Sequence, residues 1–186
     1  MLIEELISAG KELYERGLQT PRSGNISARD AKFFWITRTG TNLARLTEAQ
    51  FVRVDVDSRA VIPAEASVEC SVHRGVYNAT AARAIIHAHP PYAIAAAETV
   101  GEEGITPVHN EALVGLKWIP VIHTSVAGED TGEDAAGIAA PLSRWPAVVI
   151  RGHGAFTIGG DIDEALYKML LLEEVCKINC ILRSIR

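Results

Sequence analysis

Three histidines in two short motifs have the residue type and the spacing that can bind one metal ion. His87 and His89 stand two residues apart, and His153 follows later in the chain between Gly152 and Gly154. Three imidazole nitrogens with an open fourth position are the ligand set of a catalytic zinc site, where water or a substrate oxygen completes the coordination. The two motifs therefore predict a catalytic metal centre.

The segments before these motifs predict strands that could bring the histidines together. Residues 84–86 form an apolar run before the histidine pair, and residues two apart on a strand point to the same face. Residues 147–150 predict a second strand before His153, and Gly152 and Gly154 leave room for close backbone approach. A third ligand can therefore arrive from a second strand.

The His-x-His spacing has competing interpretations. Taken alone, it does not establish metal binding, because a lone histidine is usually a packed core or surface residue. The metallo-β-lactamase pattern requires an Asp two residues after the second His, and the cupin pattern requires a Glu shortly after it. Residues 90–92 are Pro-Pro-Tyr, so neither pattern fits.

Composition limits the classes of protein to which the chain can belong. Its 186 residues, 48% hydrophobic and 22% charged, suit a single compact domain over residues 1–186. The net charge of −5 and the lack of a basic run argue against a nucleic-acid partner. Its apolar stretches are shorter than the ~20 residues of a membrane span, and there is no basic signal-peptide start, so we expect a cytoplasmic protein that does not bind membranes. Three cysteines, an odd number, predict no disulfides.

The hydrophobic pattern predicts an α/β fold. It indicates an opening helix over residues 2–16, strands over 33–37 and 52–56, and a last helix beginning at Asp161. Ser67 can serve as the N-cap of another helix that carries Glu69 in its first turn. Helices and strands alternate irregularly, and no Gly-x-Gly-x-x-Gly follows a strand. We therefore predict a single domain with a mixed or antiparallel central β-sheet flanked by helices.

Three further motifs precede the two histidine motifs in the chain: Ser-Gly-Asn-Ile-Ser at residues 23–27, Thr-Gly at 39–40 and Ser-Val-Glu at 67–69. In this order the five motifs resemble the class II aldolase/adducin family, in its zinc-dependent branch that contains the L-fuculose-1-phosphate aldolases. The resemblance covers nearly the whole chain, and five ordered motifs are far more specific than one.

The resemblance implies a role for each matching residue. It makes His87, His89 and His153 the ligands of one zinc ion per subunit, and it makes Glu69 the catalytic acid/base. It also implies a phosphate-binding cradle made of Gly24, Asn25, Thr39, Gly40 and Ser67. Glycine-rich loops and a helix start can hold a phosphate without Lys or Arg. Arg22 and Arg38 could assist the cradle, although we favour solvated surface positions for both.

The reaction implied by the resemblance is reversible cleavage of a ketose 1-phosphate to dihydroxyacetone phosphate and a short aldehyde, through a metal-stabilised enediolate. The partner is then a small phosphorylated sugar. The resemblance also implies a homotetramer with sites at subunit interfaces. Taken alone, Glu69 is more often a helix-dipole acid than a base, and the histidines and the motif order reverse that preference.

Two departures from the family pattern leave alternatives open. Val68 stands where relatives commonly have a second Ser, and Val-His-Asn-Glu at residues 108–111 lacks the Tyr that polarises the aldehyde. Either His109 or Asn110 could replace that phenol, or His109 could be structural. The family also contains sugar-phosphate dehydratases, epimerases and decarboxylases, although epimerases generally carry Asp in place of Glu69. A non-catalytic adducin-like interaction protein is disfavoured because all three histidines are retained.

Two further histidines have no assigned role in the motifs. His73 lies one helical turn after Glu69, so it could support that carboxylate or simply pack beside Tyr77. His123 matches no motif, and we interpret it as structural.

Overall fold

The computed structural model of the chain describes residues 2–100, 104–123 and 132–185, which form one α/β domain. In chain order the elements are α1 (Leu2–Glu15), β1 (Asn25–Asp30), β2 (Phe33–Thr37), β3 (Phe51–Asp55), α2 (Cys70–Ala79), β4 (Ala84–Ala88), α3 (Pro91–Thr99), α4 (Asn110–Gly115), β5 (Val121–Ile122), α5 (Gly132–Leu142), β6 (Ala147–Ile150), β7 (Gly154–Gly159) and α6 (Ile162–Ser184).

A seven-stranded sheet in the order β3-β2-β1-β4-β7-β6-β5 forms the centre of the domain. The pair β5–β6 is parallel, and the other neighbouring strands are antiparallel. The predicted mixed sheet is thus confirmed. Strand β4 lies in the middle of the order, with Asn25 of β1 opposite His87 on one side and Phe156 of β7 opposite it on the other.

Helices cover both faces of the sheet, and strand β4 is therefore buried on both sides. Ile86 packs into a core with α1, α3 and α6, while Ile85 packs into a second core with α2 and α5. Each position of β4 is buried, so a polar side chain on this strand needs a partner. His87, the polar residue of β4, is 1% exposed.

The predicted helix ends are largely confirmed. Helix α1 buries Leu6, Ala9 and Leu13, and Gly17 follows it with a positive φ of 71°, as a C-cap glycine does. The side chain of Asp161 accepts a hydrogen bond from the Glu164 backbone and caps α6. These local signals are strong because the responsible groups are close in sequence.

Two predicted boundaries are wrong. Residues 25–27 belong to strand β1 and not to a loop, because that segment pairs with both β2 and β4. Helix α2 begins at Cys70, so Glu69 occupies the N-cap position and not the first turn. The Ser67 N–H donates to Thr37 O at 3.1 Å, which ties Ser67 to the end of strand β2.

Neither membrane-spanning helices nor disulfides contribute to the fold within the described ranges. Their helices lack the combined length and apolarity that crossing a membrane requires. The three cysteines, at positions 70, 176 and 180, are free thiols.

Candidate metal centre

The three predicted ligands converge at the carboxyl end of β4. His87 lies on β4, His89 follows this strand directly, and His153 lies in the turn between β6 and β7. Their ligand nitrogens lie within 4.8 Å of one another, and the Nε2 atoms of His87 and His89 are 3.1 Å apart. Tetrahedral zinc with Zn–N bonds of ~2.05 Å requires nitrogens about 3.3 Å apart. The three imidazoles therefore fit one ion.

Hydrogen bonding orients His87 for coordination. Its Nδ1 lies 3.0 Å from Ala155 O on the neighbouring strand, and a carbonyl oxygen can only accept, so Nδ1 carries the proton. The lone pair of Nε2 then points toward the other two histidines. Ligand histidines usually have their second nitrogen held in this way, which fixes the tautomer and the ring orientation.

The three histidines are neutral near pH 7, which is the form that binds metal. Burial lowers the pKa of His87 well below its usual range, with further lowering by the nearby His89 and His153 rings. Burial, followed by His153, lowers the pKa of His89 to about 4. Burial also lowers the pKa of His153.

A tight turn and a close approach place His153 beside the other ligands. The His153 N–H donates to Ile150 O at 3.1 Å, and Gly152 adopts a φ of +68° within this turn. A Cβ on Gly154 would lie 2.5 Å from Ala88 O and 2.8 Å from the His89 ring. Gly154 thus allows the close approach that the sequence predicted, whereas Gly152 serves the turn through its positive φ and has no neighbour closer than 3.8 Å.

Replacing Gly154 with alanine is expected to weaken metal binding. Backbone at Ala88 and the ring of His89 would have to move to admit the new methyl group, and displaced ligands commonly cost about 10- to 100-fold in metal affinity. Competition with a zinc chelator measures the change. Gly137→Ala is the matched control, since its Cβ meets nothing within 4 Å. Equal zinc affinity in both variants would contradict the steric role of Gly154.

The carboxylate of Glu69 lies beside the histidine cluster. Its Oε2 is 3.3 Å from His87 Nε2, and its Oε1 is 3.9 Å from His153 Nε2. Residue 69 stands directly before helix α2, so the backbone of a helix start fixes the base of the side chain. A carboxylate in this place can bind the ion or exchange a proton with a molecule bound to it.

All nine residues predicted for the site line one cavity of about 230 Å³. The same cavity is lined by Arg22, Ser23, Arg38 and Val68. Both arginines are exposed, as the sequence interpretation expected, and both also line the cavity beside the glycine-containing loops of the predicted cradle. These arginines add positive charge to the lining, which suits a phosphate, although Arg38 also lies 3.9 Å from Glu65 Oε1.

The hydroxyls of Thr39 and Ser67 are hydrogen-bond donors available to a ligand in the cradle, whereas the backbone N–H groups of these two residues are already used. The backbone N–H of Thr39 donates to Glu65 O at 3.2 Å, and that of Ser67 donates to Thr37 O. The Ser67 hydroxyl oxygen accepts from the Glu69 N–H at 3.3 Å, which leaves its proton to donate elsewhere. Gly24 and Gly40 have positive φ values of 74° and 67°, a conformation that glycine adopts without strain.

The side chain of Asn25 is bonded to protein groups at both ends. Its Nδ2 donates to Glu69 Oε2 at 2.5 Å, and its Oδ1 lies 2.6 Å from His73 Nε2. The phosphate role that the resemblance implies for Asn25 is thus limited to its second amide hydrogen or its backbone. The link between His73 and Glu69 could not be read from helical spacing, because it passes through a residue on β1.

Three other residues that the sequence analysis considered lie outside this cavity. His109 and Asn110 stand at the start of α4, and neither lines the cavity. His123 is exposed, and its Nε2 accepts a hydrogen bond from Arg151 at 3.0 Å, which fits the structural interpretation. Among the described residues, no tyrosine lines the cavity.

Comparison with known proteins places these features in a family. The chain matches the family described as Class II Aldolase and Adducin N-terminal domain over residues 4–180. The crystal structure of L-fuculose-1-phosphate aldolase from Thermus thermophilus superposes with a TM-score of 0.92 at 35% identity, covering 98% of this chain and 94% of that one.

Curated relatives of similar identity have different activities. An L-fuculose phosphate aldolase from Methanococcus maripaludis is 31% identical over 94% of this chain and 93% of its own length. A methylthioribulose-1-phosphate dehydratase from Gluconacetobacter diazotrophicus is 32% identical over 92% of this chain and 88% of its own length. The chain spans 34% of a probable bifunctional methylthioribose-1-phosphate isomerase/methylthioribulose-1-phosphate dehydratase from Nocardia farcinica.

Proposed function

Because this chain belongs to the class II aldolase and adducin family, we propose that it is a zinc-dependent aldolase acting on a ketose 1-phosphate. The reaction is reversible cleavage to dihydroxyacetone phosphate and a short aldehyde. The observation that carries the proposal is the convergence of three neutral imidazoles and one carboxylate in a cavity whose other wall offers hydroxyls, glycine loops and arginines.

Each group in the cavity has a defined task in this reaction. A zinc ion held by the three histidines would polarise the substrate carbonyl and stabilise the negative charge that develops on it. In the condensation direction Glu69 takes a proton from the carbon next to the carbonyl of dihydroxyacetone phosphate. In the cleavage direction the carbon–carbon bond breaks as the hydroxyl proton of the departing aldehyde is lost to water, and Glu69 returns a proton to that carbon. The hydroxyls of Thr39 and Ser67, with Gly24 and Gly40, hold the phosphate and fix the register of the substrate.

A dehydratase is the second candidate, since a dehydratase and aldolases of the family match this chain at similar identity. It would act on the same carbon beside the polarised carbonyl, but it removes the proton there and expels the hydroxyl group of the next carbon as water, whereas the aldolase breaks the bond between those two carbons. An epimerase or a decarboxylase would also start from a metal-polarised substrate. The absence of the expected Tyr from the described cavity wall favours keeping the dehydratase as an alternative.

Product analysis separates these reactions. The zinc-loaded protein is incubated with dihydroxyacetone phosphate and, in turn, lactaldehyde, glycolaldehyde or glyceraldehyde, and also with methylthioribulose 1-phosphate. A new ketose 1-phosphate supports the aldolase, and loss of water from the last substrate supports the dehydratase. If none of the mixtures reacts, the result contradicts both the aldolase and the dehydratase.

Ser67→Ala is expected to raise KM for the phosphorylated ketose by about tenfold, with a smaller change in kcat. One charge-assisted hydrogen bond to phosphate is worth ~1.5 to 3 kcal/mol at most. Steady-state kinetics with the phosphorylated and the unphosphorylated ketose measures this effect, and the unphosphorylated sugar is the control. An equal loss with both substrates would show that Ser67 supports Glu69 and not the phosphate.

We also propose a homotetramer with sites at subunit interfaces. Large apolar side chains are exposed on helices α3, α4 and α6, at positions 92, 113, 114, 167 and 181. Apolar side chains exposed on one subunit are available to pack against another if they form a contiguous patch.

A further inference from the structure

A buried series of hydrogen bonds connects Tyr77, in the core between the sheet and helices α2 and α5, to the carboxylate of Glu69. The Tyr77 hydroxyl lies 2.7 Å from Ser27 Oγ, and Ser27 Oγ lies 2.7 Å from His73 Nδ1. The other ring nitrogen, Nε2, lies 2.6 Å from Asn25 Oδ1, and the Asn25 amide donates to Glu69 Oε2 at 2.5 Å. This series of hydrogen bonds thus passes from α2 to β1 twice, from Tyr77 to Ser27 and from His73 to Asn25.

Elementary donor and acceptor rules fix the direction of this chain. A carboxylate only accepts, so Asn25 turns its Nδ2 toward Glu69 and its Oδ1 toward His73. A carbonyl oxygen also only accepts, so Nε2 of His73 carries the proton. The neutral ring then accepts at Nδ1 from the Ser27 hydroxyl, which leaves the Tyr77 hydroxyl to donate to Ser27.

Burial makes this arrangement costly to disturb. Ser27 and His73 are fully buried, Tyr77 is 1% exposed and Asn25 is 5% exposed. Desolvation lowers the pKa of His73 to about 3, which agrees with a neutral ring that donates at one nitrogen and accepts at the other. In such surroundings an unpaired polar group costs ~1 to 3 kcal/mol.

We propose that His73 is a positioning residue for proton transfer: by holding Asn25 Oδ1, it orients the Asn25 amide toward Glu69 Oε2 and so aims the carboxylate at the metal centre. The role of His73 rests on the proposed function of Glu69. This proposal gives the Asn25 side chain the task of holding the Glu69 carboxylate, in preference to binding the phosphate. Without the Nε2 donor, the amide can rotate and present its oxygen to the carboxylate, which repels it.

Two substitutions of His73 test this role. His73→Leu keeps apolar volume but removes both ring nitrogens, and we expect kcat to fall about 10- to 100-fold, as loss of such supporting contacts does, while KM changes less than about twofold and zinc stays bound. His73→Gln offers an amide N–H toward Asn25 and an oxygen toward Ser27. It should recover kcat to within a few fold of the wild type.

The control separates positioning from general destabilisation. Thr157→Val also removes a fully buried hydrogen-bonding side-chain group, in this case a hydroxyl. That hydroxyl donates to Ala165 O of helix α6 at 2.9 Å, away from Glu69. We expect a lower melting temperature with wild-type kcat. Wild-type kcat in His73→Leu, or the same kcat loss in Thr157→Val at equal melting temperature, would overturn the proposal.

A measurement on the wild-type protein decides the matter if His73→Leu does not fold or if the enzyme assay fails. Nitrogen-15 NMR of labelled imidazoles should show His73 as the Nε2–H tautomer at pH 7, with Nδ1 unprotonated. The Nδ1–H tautomer would overturn the proposed direction of the chain. A protein without lyase activity but with the Nε2–H tautomer would contradict the proposed function and leave the Asn25 orientation intact.

Discussion

His87→Ala is expected to abolish stoichiometric zinc binding and to lower kcat/KM at least about 1,000-fold, equivalent to ~4 kcal/mol of transition-state stabilisation. His87 is the most buried of the three ligands, and its Nδ1 is already committed to Ala155 O. The two remaining imidazoles would hold the ion weakly.

Elemental analysis after gel filtration, together with kinetics in zinc-supplemented buffer, measures both effects. His123→Ala is the matched control, because it also deletes an imidazole but from an exposed position outside the cavity. We expect the control to keep its zinc and its activity. One zinc per subunit in His87→Ala would rule out the three-histidine site.

The convergence of the three histidines could be predicted from sequence because the geometry of each motif is set locally. A strand before His87 and a glycine turn before His153 are short-range features, and each leaves little freedom for the side chain that follows. The sheet that joins the two motifs had to be inferred from the alternation of helices and strands and from the family resemblance. The antiparallel pairing of β4 with β7 then completes the site.

The support of Glu69 could not be predicted in the same way. Asn25 and His73 are distant in sequence, and their contact depends on α2 packing over β1. The motif around Asn25 matched a phosphate loop, which concealed that the residue lies in a strand and faces the carboxylate. Contacts between residues far apart in sequence require the tertiary fold, and local patterns do not encode them.

Glu69→Gln is expected to keep its zinc and lose proton transfer, with kcat lower by about 100- to 10,000-fold, the usual contribution of a positioned base. The glutamine amide has nearly the same shape, and its oxygen can still accept the hydrogen bond from Asn25. It cannot take a proton from carbon. The variant thus removes the chemistry of the side chain while it preserves the supporting contacts.

Exchange of deuterium from solvent into dihydroxyacetone phosphate isolates this step, because it requires proton removal but no aldehyde. We expect exchange in the zinc-loaded wild type and in Glu48→Gln, a control that makes the same change at an exposed carboxylate. Exchange in Glu69→Gln should fall in parallel with kcat for cleavage. If Glu69→Gln exchanges at the wild-type rate, another group removes the proton, and the position of Glu69 beside His87 and His153 then serves only to bind the ion.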